Sequence, residues 1–238
     1  MIQVIPLEGI PEVEEGDDLA ALLQDAADDA GGFQPGDVLV VAQKVMSKTE
    51  GRVVRLEEVE PSDAARDDAA DHDPRHVEVI LREAARVVRS RPPLVIAETR
   101  HGFVCASAGV DASNAPGADT VVLLPLDPDA SARRLHERLG LAVIISDSFG
   151  RPFRQGTTDV AIGVAGLAPL LDLRGTRDRV GYELRTTQIA VADEIAGAAE
   201  LVMGKTAGIP AAIVRGLEVE GDGAARDLVM PPERDLFR

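Results

Sequence analysis

Lysine is nearly absent from this chain. It occurs at positions 44, 48 and 205 only, and the other strongly basic side chains among the 238 residues are all arginine. Tryptophan is missing, aromatics make up 3%, and Cys105 is the single cysteine. One cysteine excludes an intrachain disulfide and a thiolate metal cluster, so Cys105 reads as a small buried residue. No apolar run reaches the ~18 residues that suggest a membrane span, and the N-terminus lacks a basic stretch followed by an apolar one. A cytoplasmic protein with no membrane partner is expected. Positive charge is also scarce overall: 41 acidic residues face 25 Lys and Arg, for a formal net charge of -16. A field this negative argues against a nucleic-acid partner.

The apolar content is 45%, mostly Val, Leu, Ile and Ala, which is enough for a packed core and too much for an acidic disordered chain. High negative charge with few lysines fits adaptation to a salt-rich cytoplasm, as in a halophile, where the Debye length falls to about 3 Å at 1 M. An ordinary acidic protein is the plainer alternative. Against this background the retained lysines stand out. Two fall in Gln43-Lys44-Val45-Met46-Ser47-Lys48 and the third in Met203-Gly204-Lys205-Thr206. Lys offers phosphate a compact charge on a flexible stem, where Arg offers a planar fork. The spacing points to a phosphate site, with solvated surface as the alternative.

Hydrophobic patterning predicts strands over 2–7, 38–42, 94–98, 103–106, 120–124, 141–146, 160–164 and 211–214, with 53–59 extended. Helices are predicted over 18–29, in the polar 61–73 stretch, and over 129–139 and 187–203. A further helix from Pro74 carries Val77, Ile80, Leu81, Ala84, Val87 and Val88 on one face, with Asp73 as N-cap and Pro74 at N1. Strands and helices alternate without strict βαβ regularity. The expected class is α+β (mixed α/β): mixed sheets with flanking helices, two intimate subdomains, and one domain over 1–238.

Two further segments carry chemistry. Gly109-Val110-Asp111-Ala112-Ser113-Asn114 lies between extended stretches, and Ser146-Asp147-Ser148-Phe149-Gly150-Arg151 leaves a buried strand. Asp111, Asp147 and Ser148 supply the oxygen donors that hard divalent cations take. Taken singly, either aspartate reads first as a turn or capping residue. Gly204-Lys205-Thr206 is not a P-loop: position 199 is Ala, and the segment follows a helix instead of a strand. The four histidines show no metal spacing, and His101 beside Gly102 is the one of interest.

Taken together and in order, these stretches resemble the coenzyme F420-0:γ-glutamyl ligases of archaea, found also as one domain of an actinobacterial fusion. The matching stretches are 7–11, 36–44, 47–52, 101–104, 108–114, 146–152, 154–156, 203–205 and the terminal Asp235-Leu236-Phe237-Arg238. With nothing following them, the stand-alone archaeal form is expected. The resemblance implies a homodimeric, GTP-dependent amide ligase that adds L-glutamate to F420-0 and then a second glutamate by γ-linkage. It implies a divalent cation, Mg²⁺ or Mn²⁺, as one or two ions, with K⁺ as a further candidate. It places Leu7, Gly9, Ile10, Pro11, Ser47, Lys48, Arg52, Asn114, Met203, Gly204, Lys205 and Thr206 at GTP, and Asp111, Asp147 and Ser148 at metal. Lys48 and Arg52 are the catalytic candidates, as charges on the transferred phosphoryl group. Some family members carry an oxygen-bearing metal ligand near position 205. Lys205 cannot ligate while protonated, which leaves a second metal's ligands open. A metal-dependent GTP hydrolase and a non-catalytic nucleotide-binding protein are the competing readings.

Overall fold

The computed structural model describes residues 1–236; the expected terminal match at Phe237 and Arg238 lies outside them. In chain order the elements are β1 (Gln3–Pro6), α1 (Leu19–Asp29), β2 (Val38–Ala42), α2 (Gln43–Thr49), β3 (Val53–Arg55), α3 (Asp63–Ala69), α4 (Pro74–Glu83), β4 (Ala84–Arg91), β5 (Leu94–Thr99), β6 (Val104–Ala106) and β7 (Thr120–Val122). They continue with α5 (Pro128–Leu139), β8 (Ala142–Gly150), β9 (Thr157–Ala165), β10 (Leu171–Asp172), β11 (Gln188–Ile189), α6 (Val191–Met203) and β12 (Ala211–Arg215). The class is mixed α+β, as expected.

The main sheet has the order β1-β12-β2-β8-β9. Only the β2–β8 pair is parallel, with Val38 opposite Ala142 and Ala42 opposite Ser146. Strands buried on both faces read as continuous apolar runs, and Val38-Leu39-Val40-Val41 is completely buried. Odd-numbered β2 residues pack with α1 and α5, through Leu23, Ala26, Ala132 and Leu135. Even-numbered ones pack with α6, through Ala192, Ile195, Ala196 and Ala199. A third apolar cluster, including Val79, Ile80, Val95, Ala97, Val110 and Val121, unites α4 with the smaller sheets β3-β7 and β4-β5-β6.

Local signals fix the helix starts. Asp18, Asp73 and Asp127 each accept a backbone N–H of their helix's first turn, and Pro74 and Pro128 occupy its start. An Asp37–Arg215 pair ties the start of β2 to the end of β12 through two 2.8 Å bonds, with the Asp37 side chain only 1% exposed. At Gly163 the chain needs glycine, since any Cβ there would collide with the Pro128 carbonyl of α5.

Several boundaries differ from expectation. The helix predicted from Pro74 through Val88 stops at Glu83, and Ala84–Arg91 becomes a strand paired with β5. Val87 and Val88 are therefore 40% and 36% exposed rather than buried. A β-branched pair among arginines fits a half-exposed strand as well as a helical stripe, and pairing with Leu94–Thr99 decides it. The helix predicted from 187 begins at Val191, and Gln188–Ile189 pairs with β10. Over 53–59 the extended segment closes at Arg55 into a short 3-10 turn. Finally, β8 runs on to Gly150, so Asp147 sits within a strand, opposite Val160 of β9, rather than at a strand end.

Candidate functional site

β2 leads into α2 without an intervening loop, which fixes Lys44 and Lys48 at the carboxyl end of β2. The parallel register brings Ser146 and Asp147 of β8 to the same edge, the place where open sheets commonly bind ligands. A third contributor is the loop after α6. Gly204 ends that helix at φ +57°, a conformation that disfavours any side chain, and Pro210 then accepts the N–H of Ala42 at 2.8 Å. Asn114, itself at φ +53°, donates its amide to the Lys205 carbonyl at 3.4 Å and ties the 109–114 turn to this loop.

These segments enclose two adjoining cavities. One, of about 400 Å³, is lined by Ile10, Pro11, Lys44, Lys48, Asn114, Gly204, Lys205 and Thr206 among others. All three lysines of the chain meet there. The second, of about 80 Å³, shares Ala42, Lys44, Asn114, Gly204 and Lys205 with the first and adds Ser146, Asp147, Ser148, Asp159, Glu200 and Met203.

The charges are arranged unevenly. Lys44 Nζ donates to Asp111 Oδ2 at 2.6 Å, and Asp111 also accepts from the Ser113 N–H and hydroxyl. Burial pushes the Asp111 pKa up, but the bonds from Lys44 and Ser113 outweigh it and hold the carboxyl below its ordinary range. Asp147 goes the other way. Burial raises its pKa to about 7, and the negative charges of Asp159 and Asp111 add to that against the pull of Lys44. Lys48 keeps only 6% of its side chain exposed and pairs with Glu12, which is 72% exposed.

Asp159 and Glu200 were not singled out by the sequence. Asp159 is buried and accepts from Ser146 Oγ at 2.8 Å and Ser148 Oγ at 2.6 Å. Glu200 accepts the Asp159 N–H at 3.1 Å. An acid immediately before the apolar 160–165 stretch of β9 was the available signal for Asp159. Glu200 had none beyond lying seven residues after Asp193 on the same helix.

Among the residues expected at GTP, Ile10, Pro11, Lys48, Asn114, Gly204, Lys205 and Thr206 line the larger cavity, and Met203 lines the smaller one. Leu7 is buried in the core beneath them, and Gly9 makes the turn that presents Ile10 at φ +79°. Ser47 is fully buried and accepts from Gln43 Nε2 at 2.6 Å, behind the cavity wall. Arg52 lines neither cavity and is bonded to the Leu124 carbonyl at 2.9 Å and to Glu83 at 2.7 Å. Of the residues expected at metal, Asp147 and Ser148 line the smaller cavity, whereas Asp111 lines neither and is bonded to Lys44. Cys105 is buried, and burial together with the Asp147 charge pushes its thiol up to about 12, so it is unreactive.

The donor set suits a hard cation. Asp147, Ser148, Asp159 and Glu200 offer only oxygen, and a buried carboxylate with a raised pKa gains from a nearby positive ion. Among the described residues no group of three or more His, Cys, Asp or Glu side chains is arranged to hold a metal by itself.

Comparison with known proteins agrees with the resemblance. The family model described as F420-0:Gamma-glutamyl ligase matches residues 9–216. The chain is 47% identical over its whole length to the "Coenzyme F420:L-glutamate ligase" of Methanothermobacter thermautotrophicus, covering 99% of that protein. The like-named proteins of Methanopyrus kandleri and Archaeoglobus fulgidus are 48% and 42% identical, with 97% and 96% of their lengths covered. The chain belongs to the F420-0:γ-glutamyl ligase family.

Proposed function

We propose that this protein is a ligase of coenzyme F420 biosynthesis that joins L-glutamate to F420-0, spends GTP to do so, and adds a second glutamate by γ-linkage. One observation carries the nucleotide part: the only three lysines of a chain with net charge -16 line one cavity of about 400 Å³. A triphosphate in so negative a molecule requires a local concentration of cations. In this reading Ile10 and Pro11 flank the nucleotide, while Lys48 and Lys205 meet its phosphates.

A carboxylate is a poor acyl donor. Its oxygen attacks the γ-phosphorus, GDP departs, and an acyl phosphate results. The glutamate amine then attacks the acyl carbon, loses a proton, and phosphate leaves with the C–O bond electrons. Lys44 lies between the two cavities and Lys48 lies in the larger one, where each offsets charge building on the transferred group. A Mg²⁺ or Mn²⁺ ion bound by Asp147 and Ser148, with Asp111 nearby, would act as the Lewis acid on the phosphoryl oxygens. Arg52, bonded to Glu83, supports this site by fixing α4 against the end of β7.

The test is one incubation with F420-0, L-glutamate, GTP and Mn²⁺, read by mass spectrometry. Products heavier than F420-0 by one and two glutamyl units, with matching GDP release, are expected. GTP turnover without F420-0 or glutamate would instead identify a hydrolase, and GTP binding with no product a nucleotide-binding protein.

A further inference from the structure

A third cavity, of about 270 Å³, lies beyond the smaller polar one and is not used by the nucleotide reading. The two cavities take neighbouring residues of the β8–β9 hairpin: Ser148 and Asp159 line the polar one, and Phe149, Val160 and Ala161 line the third. Helix α6 spans both, with Glu200 in the first and Asp193 in the second. Seven helical residues separate these two acids, a distance of about 10 Å.

The lining is unusual for this chain. The sequence has five Phe, one Tyr and no Trp, yet two of the phenylalanines, Phe103 and Phe149, line this cavity. Their rings meet edge to face at 6.2 Å, and His101 stacks on Phe103 at 5.7 Å with an interplanar angle of 21°. His101 Nε2 lies 3.0 Å from the Pro125 carbonyl and 3.2 Å from that of Leu126, so it carries the proton and the ring is held in place. Leu228, Val229 and Met230 of the C-terminal segment also line the cavity. Asp193 is a further lining residue, and its Oδ1 accepts the Ala161 N–H at 2.9 Å. The result is a slot lined by two aromatic rings, aliphatic side chains and the carboxylates of Asp193 and Asp235.

We infer that this slot, lined by Phe103, Phe149, Leu228 and Met230, holds a planar aromatic portion of the acceptor F420-0 while the carboxylate to be glutamylated reaches the polar cavity next to it. The inference rests on the ligase reading above and extends it. A fused planar ring gains from offset and edge-to-face contact with fixed aromatic side chains. The second carboxylate oxygen of Asp193 accepts a ring-edge N–H. The slot lies just below the typical volume of about 300–1,000 Å³ for a small-molecule site, so it takes the ring and leaves the rest of the acceptor to span the ~10 Å to the phosphoryl site. The three cavities then follow the order of the reaction: nucleotide, transferred phosphoryl group, acceptor.

The experiment measures steady-state constants for F420-0, GTP and glutamate in three variants. Phe149→Leu keeps apolar volume and removes the ring. Asp193→Asn keeps the shape and weakens the acceptor in the slot's lining. Met230→Trp fills the slot from a side chain that is 49% exposed, so it leaves the core intact. The expected result is a rise in KM for F420-0 of about three- to tenfold for Phe149→Leu, the worth of one aromatic contact. Met230→Trp should raise it further, with KM for GTP unchanged in every variant. An unchanged KM for F420-0 in Met230→Trp, or a parallel rise in KM for GTP, overturns the assignment. If the wild-type protein makes no glutamylated product, the ligase reading fails by itself. Titrating F420-0 fluorescence against wild type and Met230→Trp then decides the slot: weaker binding by the variant supports it, and equal binding or none overturns it.

Discussion

Asp147→Asn should make the metal-free protein more stable at pH 8 while abolishing ligation. Asp147 carries a pKa of about 7 against an ordinary 3.8, chiefly because it is buried. A carboxyl whose folded pKa is raised binds its proton more tightly in the native state. Its contribution to stability is therefore lost as pH rises from about 4 through 7, and the ionised form is tolerated only at a cost above that. A shift of about three units at 1.36 kcal/mol each is on the order of 4 kcal/mol. Local relaxation and water penetration reduce this, and about half is a reasonable expectation. Asn has nothing to ionise and escapes the penalty. For a chain of this size each kcal/mol moves Tm by about 2–4 °C, so the variant should melt roughly 4–8 °C above wild type at pH 8. The advantage should shrink steadily towards pH 4. Thermal unfolding by circular dichroism in EDTA across that range reads the effect. Adding Mn²⁺ should raise the wild-type Tm and leave the variant unmoved. A variant less stable than wild type at pH 8, or a Tm difference independent of pH, would refute the reasoning that burial leaves Asp147 waiting for a cation.

Three further outcomes follow from other contacts. Glu12 occupies the Lys48 ammonium, so Glu12→Gln should tighten GTP binding several-fold in calorimetric titration. Lys48→Ala should weaken it, and Lys48→Arg should restore little because the fork does not fit a buried point-charge position. Asp37→Asn leaves Arg215 without its carboxylate in a buried pair and should cost about 3 kcal/mol in urea unfolding. Arg215 and the Gln34 N–H hold the Asp37 pKa below its usual value against the opposing effect of burial, so that contribution is present above about pH 4 and is lost as pH falls through the lowered value. We further propose a homodimer whose doubled negative charge repels at low ionic strength, where the Debye length reaches about 30 Å at 0.01 M. Light scattering and activity should fall together as salt is lowered, and a stable, active dimer at millimolar salt would refute it.

The sequence by itself determined the elements whose cause is local. Asp18, Asp73 and Asp127 announced three helix starts, Val38–Val41 announced a strand buried on both faces, and the scarcity of lysine marked Lys44, Lys48 and Lys205 long before any cavity was visible. Ordered motifs across the chain were enough to reach the family. What sequence could not decide was everything set by pairing at a distance. Val87 and Val88 fit a helical stripe until β5 claimed them as a strand, because short β-branched runs satisfy both periods. Asp147 reads as a strand end, and only the hairpin with β9 and the packing around it take it partly out of water and raise its pKa to about 7. Asp159 and Glu200 lie 12 and 53 residues beyond it and join its cavity through the β8–β9 register and the packing of α6. Ser47 and Arg52 flank Lys48 in the chain, yet their side chains turn to Gln43 and to Glu83. Helical direction and tertiary partners, which spacing along the chain does not encode, select which of these three polar residues lines the cavity.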